Sequence, residues 1–187
     1  MKYFCLGTIL IVLLGCNTPS DRTIPADSLD QVAVSASSAP VTRIMTQLLS
    51  DYLQMKSFFA DPTDTLQIKQ HAQEMIVWAD SLGHVSGTIP APLGDSLQIM
   101  SMAISDELIG LLGEVDKKGM AASFQLTGLQ LYDLLRAMQY RGRKIYLFQS
   151  FRGGEGEAGW LDITPVSTHP FLASGEQEKA IDSLPIR

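Results

Sequence analysis

The chain predicts a mainly α fold, an antiparallel up-down four-helix bundle with a C-terminal β-hairpin. Two observations carry that prediction. Between residues 41 and 138 apolar side chains recur at steps of three and four in four separate runs, each suiting a helix of ~20 residues and ~30 Å. After Lys144 the period falls towards two in a stretch rich in aromatic and branched residues, as in a strand.

The first helical run is Val41, Met45, Leu48, Leu49, Tyr52, Met55 and Phe59, which share one face. Asp61-Pro62-Thr63-Asp64 then gives a start signal: Asp61 can cap, Pro62 suits the first turn, and Asp64 favours the positive end of the helix. The second run buries Ile68, Ala72, Met75, Ile76, Ala79 and Leu82, and Gly83 is expected to stop it. Residues 83–94 hold Gly83, Gly87, Pro90, Pro92 and Gly94, which predicts a loop. Leu97, Met100, Ile104, Leu108, Leu111 and Val115 form the third stripe, with Asp116 to Gly119 as the next turn. Phe124, Gly128, Leu131, Leu134, Leu135 and Met138 form the fourth. Gly128 sits inside that helix at a cost of about 1 kcal/mol against Ala, so close helix approach is its expected reason.

Beyond the basic turn Arg141 to Lys144, one expected strand face carries Ile145, Leu147 and Gln149, and the other Tyr146, Phe148 and Ser150. Residues 153–159 are a glycine-rich loop, and Trp160-Leu161-Asp162-Ile163 returns antiparallel. A lone hairpin is marginal in water, so this one is expected to pack on the bundle. Residues 173–187 read as a polar tail.

The N-terminus predicts where the protein resides. Lys2 followed by the short apolar run Phe4 to Leu14 has the form of a secretory signal, and the run is well below the ~20 residues needed to span a bilayer. Leu13-Leu14-Gly15-Cys16 resembles the lipobox of bacterial lipoproteins, in which residues 1–15 are removed and Cys16 is acylated. Two or more acyl chains hold a protein stably on a membrane. The expected location is the cell envelope, as a periplasm-facing lipoprotein. Residues 16–40 are the lipidated cysteine and a polar tether of ~30 Å reach, and 41–172 are the bundle and hairpin.

Composition and motifs exclude several functions. With Cys5 removed and Cys16 acylated, no thiol is left to pair, so stability must come from packing. A formal net charge of −6 argues against nucleic acid and against adhesion to anionic lipid head groups. No Gly-x-Ser-x-Gly elbow occurs, and the 153–159 loop lacks the Lys-Ser/Thr of a phosphate cradle. No cofactor is implied, and the chain reads as non-enzymatic. His71, His84 and His169 are the only histidines and would need to converge to hold a metal. Met45, Met55, Met75, Met100 and Met138 fall on the apolar stripes, where methionine is ordinary core filler.

The C-terminal third then invites a comparison. The order helix, Tyr146, strand, glycine loop, Trp160-Leu161, then Pro170-Phe171 resembles the domain-of-unknown-function 3347 family. So do Leu49, Tyr52, Leu53 and Lys56 on the first helix and Phe124 on the fourth, so the resemblance spans roughly residues 41–175. It implies a periplasmic helical domain associated with heavy-metal efflux. Family members commonly carry Cys-Pro-Met on the first hairpin strand, where this chain has Gln149-Ser150-Phe151. They carry Asn-Pro-Tyr where His169-Pro170-Phe171 stands, and a later Cys-Gly that is absent here. Soft metals such as Cu(I) want thiolate and thioether ligands, which these replacements remove. The expected function is therefore a lipid-anchored envelope binding or accessory protein making protein–protein contacts, with Trp160, Phe171 and Phe151 as contact residues, while Trp160 and Phe171 read equally as the plug that docks the hairpin on the bundle. The alternative is a metal-handling accessory of an efflux system with a degenerate ligand motif.

Overall fold

The computed structural model describes residues 38–60, 64–150, 158–171 and 175–184. Cys16 and its signal, most of the tether, the Asp61-Pro62 start signal, Phe151 and most of the glycine loop lie outside them. Four helices follow one another: α1 (Ala39–Phe58), α2 (Thr65–Ser86), α3 (Leu93–Gly113) and α4 (Lys117–Ala137). Each packs on the next in chain order, while α1 and α4 meet directly over only a short stretch. That seam is closed by rings. Tyr52 of α1 stacks on Phe124 of α4 with centroids 4.5 Å apart, and Phe59 lies 4.7 Å from Phe124. The fold is mainly α, as the periodicity predicts.

The apolar stripes form the core, and the departures from them have local causes. Val115 lies beyond the end of α3 and is almost fully exposed, so the third stripe ends at Leu111. Gly83 does not stop α2, which continues to Ser86. A Cβ at Gly83 would come 3.0 Å from Ser101 Oγ, so this glycine permits α2 to lie close against α3. The expected loop 83–94 shrinks accordingly, since α3 begins at Leu93. Asp116 is a helix cap rather than a turn residue. Its Oδ1 accepts from the Gly119 amide at 2.9 Å, satisfying one of the free N–H groups that open α4.

Gly128 has the close neighbour that its position requires. A Cβ there would fall 2.4 Å from Tyr52 Oη and 3.1 Å from Cζ, and Tyr52 is fully buried with its hydroxyl accepting from the Leu161 amide at 3.3 Å. Gly128→Ala therefore gains about 1 kcal/mol of helix propensity but incurs an overpacking cost of roughly 1–3 kcal/mol, because the ring has nowhere to go. A lower thermal midpoint is expected, and a variant melting above wild type would show that Tyr52 can move aside.

The hairpin is part of a larger β region. β1 (Ile145–Ser150) pairs antiparallel with β2 (Ala158–Asp162), Phe148 standing opposite Trp160. Two strands, β4 (Gln177–Lys179) and β5 (Asp182–Leu184), come from the stretch expected to be a polar tail. β5 joins the other edge of β1, with buried Leu184 opposite buried Ile145, and makes a three-stranded sheet ordered β2-β1-β5. β4 pairs with β3 (Val166–Thr168), Ser167 opposite Glu178. Three-residue strands are too short to show a period. β5 forms because the open edge of β1 offers unpaired backbone groups, whereas β3 and β4 satisfy each other. β1 is buried on both faces, with Ile145 and Leu147 on one and Phe148 on the other. β2 packs on α4, which places the sheet beside the α1–α4 seam.

Candidate functional site

The expected contact residues are built into the sheet–bundle junction. Trp160 is fully buried, stacked on Phe148 at 5.3 Å with the rings 10° from parallel, and His169 leans on its other side at 4.8 Å. Phe171 is half-buried and meets Phe59, Phe124 and His169 edge-on at 5.2–5.7 Å. Trp160 is thus a plug that docks the sheet on the helices, not a surface contact, because every face of its indole is already covered. Phe171 joins the same cluster, and Phe151 lies outside the described residues.

Beside the plug, Lys56 of α1 reaches the sheet. Its ammonium pairs with Asp162 and donates to Ser167 Oγ at 3.1 Å, and Ser167 in turn donates to Asp162. Burial opposes charge at Asp162, but the hydrogen bonds from Lys56 and Ser167, the Lys56 charge and the Ile163 amide outweigh it and hold the carboxyl below its usual range. The triad is a clamp between α1, β2 and β3.

The three histidines do not converge. His84 is exposed in the last turn of α2, and His169 sits in the aromatic cluster. His71 instead finds two carboxylates that the sequence reading missed. Its Nδ1 lies 3.4 Å from Asp51 Oδ1 on α1 and 3.3 Å from Glu74 Oε2 one turn along α2, and one ligand atom from each of the three fits within 4.8 Å of the others. Asp51 and His71 are buried, and Glu74 is half-exposed at the mouth. Nδ1 is shut off from solvent, and neither oxygen is well aligned with it for a hydrogen bond. Burial pushes the Asp51 carboxyl up, the nearby Glu74 charge adds to this, and His71 offsets part of it. Two signals in the chain mark this site: His71 and Glu74 are spaced i, i+3, and Asp51 falls among core positions 48, 49, 52 and 55.

A different surface lies on the outside of α2 and α3. Leu66 and Val77 on α2, and Ile99, Met102 and Ile109 on α3, are each more than half exposed. Leu66 and Val77 are eleven residues apart, three turns, so they share a face, as do Ile99, Met102 and Ile109 at steps of three and seven. Ser105 donates to Asp80 across the helix pair at 3.1 Å, a register that sets Val77 and Ile109 at the same level. No helix of the described residues is long and apolar enough to cross a membrane.

No family model matches this chain. Neither a curated protein nor a solved structure matches it either.

Proposed function

We propose that this protein is a non-enzymatic binding domain of the cell envelope, held to a membrane by acylated Cys16, that docks a partner protein on the outer apolar face of α2 and α3. The observation that carries this reading is the row of exposed large side chains at Leu66, Val77, Ile99, Met102 and Ile109, on helices whose inner faces are already satisfied by the core. Single exposed apolar side chains are ordinary, but several large ones grouped on one face mark a contact. The occupant is a protein rather than the bilayer because the chain carries a net charge of −6, which anionic head groups repel. A protein partner also suits a domain whose tether holds it away from the lipid.

A photoreactive residue at Met102 of the full-length lipoprotein, irradiated in intact cells, should give one discrete protein adduct. The same probe at exposed Gln54 on α1 should give none. Ile109→Asp should abolish the Met102 adduct without changing the melting temperature. An adduct to lipid, equal adducts from both positions, or no adduct would overturn the docking face. A second reading, metal handling, is favoured by one observation, the gathering of Asp51, His71 and Glu74 around an unsatisfied imidazole nitrogen.

A further inference from the structure

We propose that Asp51, His71 and Glu74 form a binding site for one divalent first-row metal ion of the zinc class, set between α1 and α2. This deepens the metal-handling reading and rests on it for biological role, while the site itself rests on geometry. A single Nδ1 can give at most one hydrogen, yet two carboxylate oxygens stand beside it at 3.4 and 3.3 Å and neither is well aligned with it. An imidazole about nine-tenths buried and aimed at two carboxylates, without a well-aligned hydrogen bond, is an arrangement a packed protein rarely keeps.

A cation resolves all three groups at once. In a tetrahedral zinc shell, with bonds of about 2.0–2.1 Å, neighbouring ligand atoms stand about 3.3–3.4 Å apart. Both distances from Nδ1 already have that value, and the third edge lies within reach because all three ligand atoms are within 4.8 Å of one another. The ring plane is held from behind by Phe58, which stacks on His71 at 5.6 Å and 16°. Fixing the ring keeps Nδ1 pointed at the site, the role outer-shell groups play at metal centres.

The donor set selects the ion. One imidazole and two carboxylates suit borderline ions such as Zn²⁺, whereas Cu(I) prefers sulfur and Ca²⁺ takes six to eight oxygens. Three protein ligands leave a fourth position, and half-exposed Glu74 puts that position on the solvent side. The ion therefore exchanges with solution rather than being sealed into the core.

Calorimetric titration of the full-length lipoprotein in detergent, stripped with chelator, tests this with ZnCl₂ and with Cu(I) as separate probes. One Zn²⁺ per chain is expected, with a higher melting temperature at excess metal. Asp51→Asn and His71→Ala should each weaken Zn²⁺ by at least about tenfold. Asp51→Asn keeps the shape of the side chain, so it decides the matter if His71→Ala fails to fold. Zinc binding unchanged in Asp51→Asn would overturn this site and leave metal handling standing elsewhere on the protein. Saturable binding of neither Zn²⁺ nor Cu(I) would remove both, and Cu(I) binding alone would overturn the ion class.

Discussion

Trp160→Ala is expected to destabilise the domain by about 3–5 kcal/mol, the cost of emptying a fully buried aromatic site. Against a total stability of about 5–15 kcal/mol for a single domain, that loss is severe. Part of it comes from the stack on Phe148, worth roughly 0.5–1.5 kcal/mol beyond area, and the rest from the void left beside His169. Trp160→Phe should be much milder, because the indole Nε1 it removes is buried without a hydrogen-bond partner. Urea unfolding measures both variants. A loss below about 1 kcal/mol for Trp160→Ala, together with loss of the Met102 adduct, would return Trp160 to the role of a partner contact.

Lys56→Met should cost about 1–3 kcal/mol at neutral pH, because it leaves Asp162 charged with only Ser167 and the Ile163 amide to hold it. The range lies between the values for buried and exposed pairs, since both side chains keep some contact with water. The pH dependence has a definite sign. The folded carboxyl of Asp162 sits below its ordinary range, so its stabilisation is present above about pH 4 and is lost as pH falls through the folded value. Wild type and Lys56→Met should therefore differ most near neutrality and converge in acid. Lys56→Met combined with Asp162→Asn should recover much of the loss, because no buried charge is then left unpaired. Unfolding midpoints from about pH 7 to pH 2.5 that stay parallel would show that the clamp carries no net stability.

The bundle was legible because helix periodicity is a local property. Val41 to Phe59 mark a buried face whatever the rest of the chain does, and so do Phe124 to Met138. Gly128 was legible for the same reason, since a glycine inside a helical run needs a close neighbour, though the sequence could not name Tyr52. Short strands were not legible. Leu184 enters the core only because Ile145, across β1, offers it a place, and three residues carry no period of their own. Gly83 misled because a glycine that ends a helix and one that lets two helices touch look alike in a chain.

The residues of the proposed metal site divide in the same way. His71 is one of only three histidines in the chain, whereas Asp51 and Glu74 are two among 20 acidic residues. Spacing along α2 relates His71 to Glu74, whereas only the packing of α1 on α2 brings Asp51 to the imidazole. Periodicity, charge and the Leu13-Leu14-Gly15-Cys16 pattern are written along the chain, so the sequence alone determined the helical body and the expectation of a lipid anchor. Which side chains from distant elements share a small buried volume depends on helix register and on how rings fill the α1–α4 seam. Those are long-range contacts, which no local pattern encodes, and the tertiary structure alone decided them.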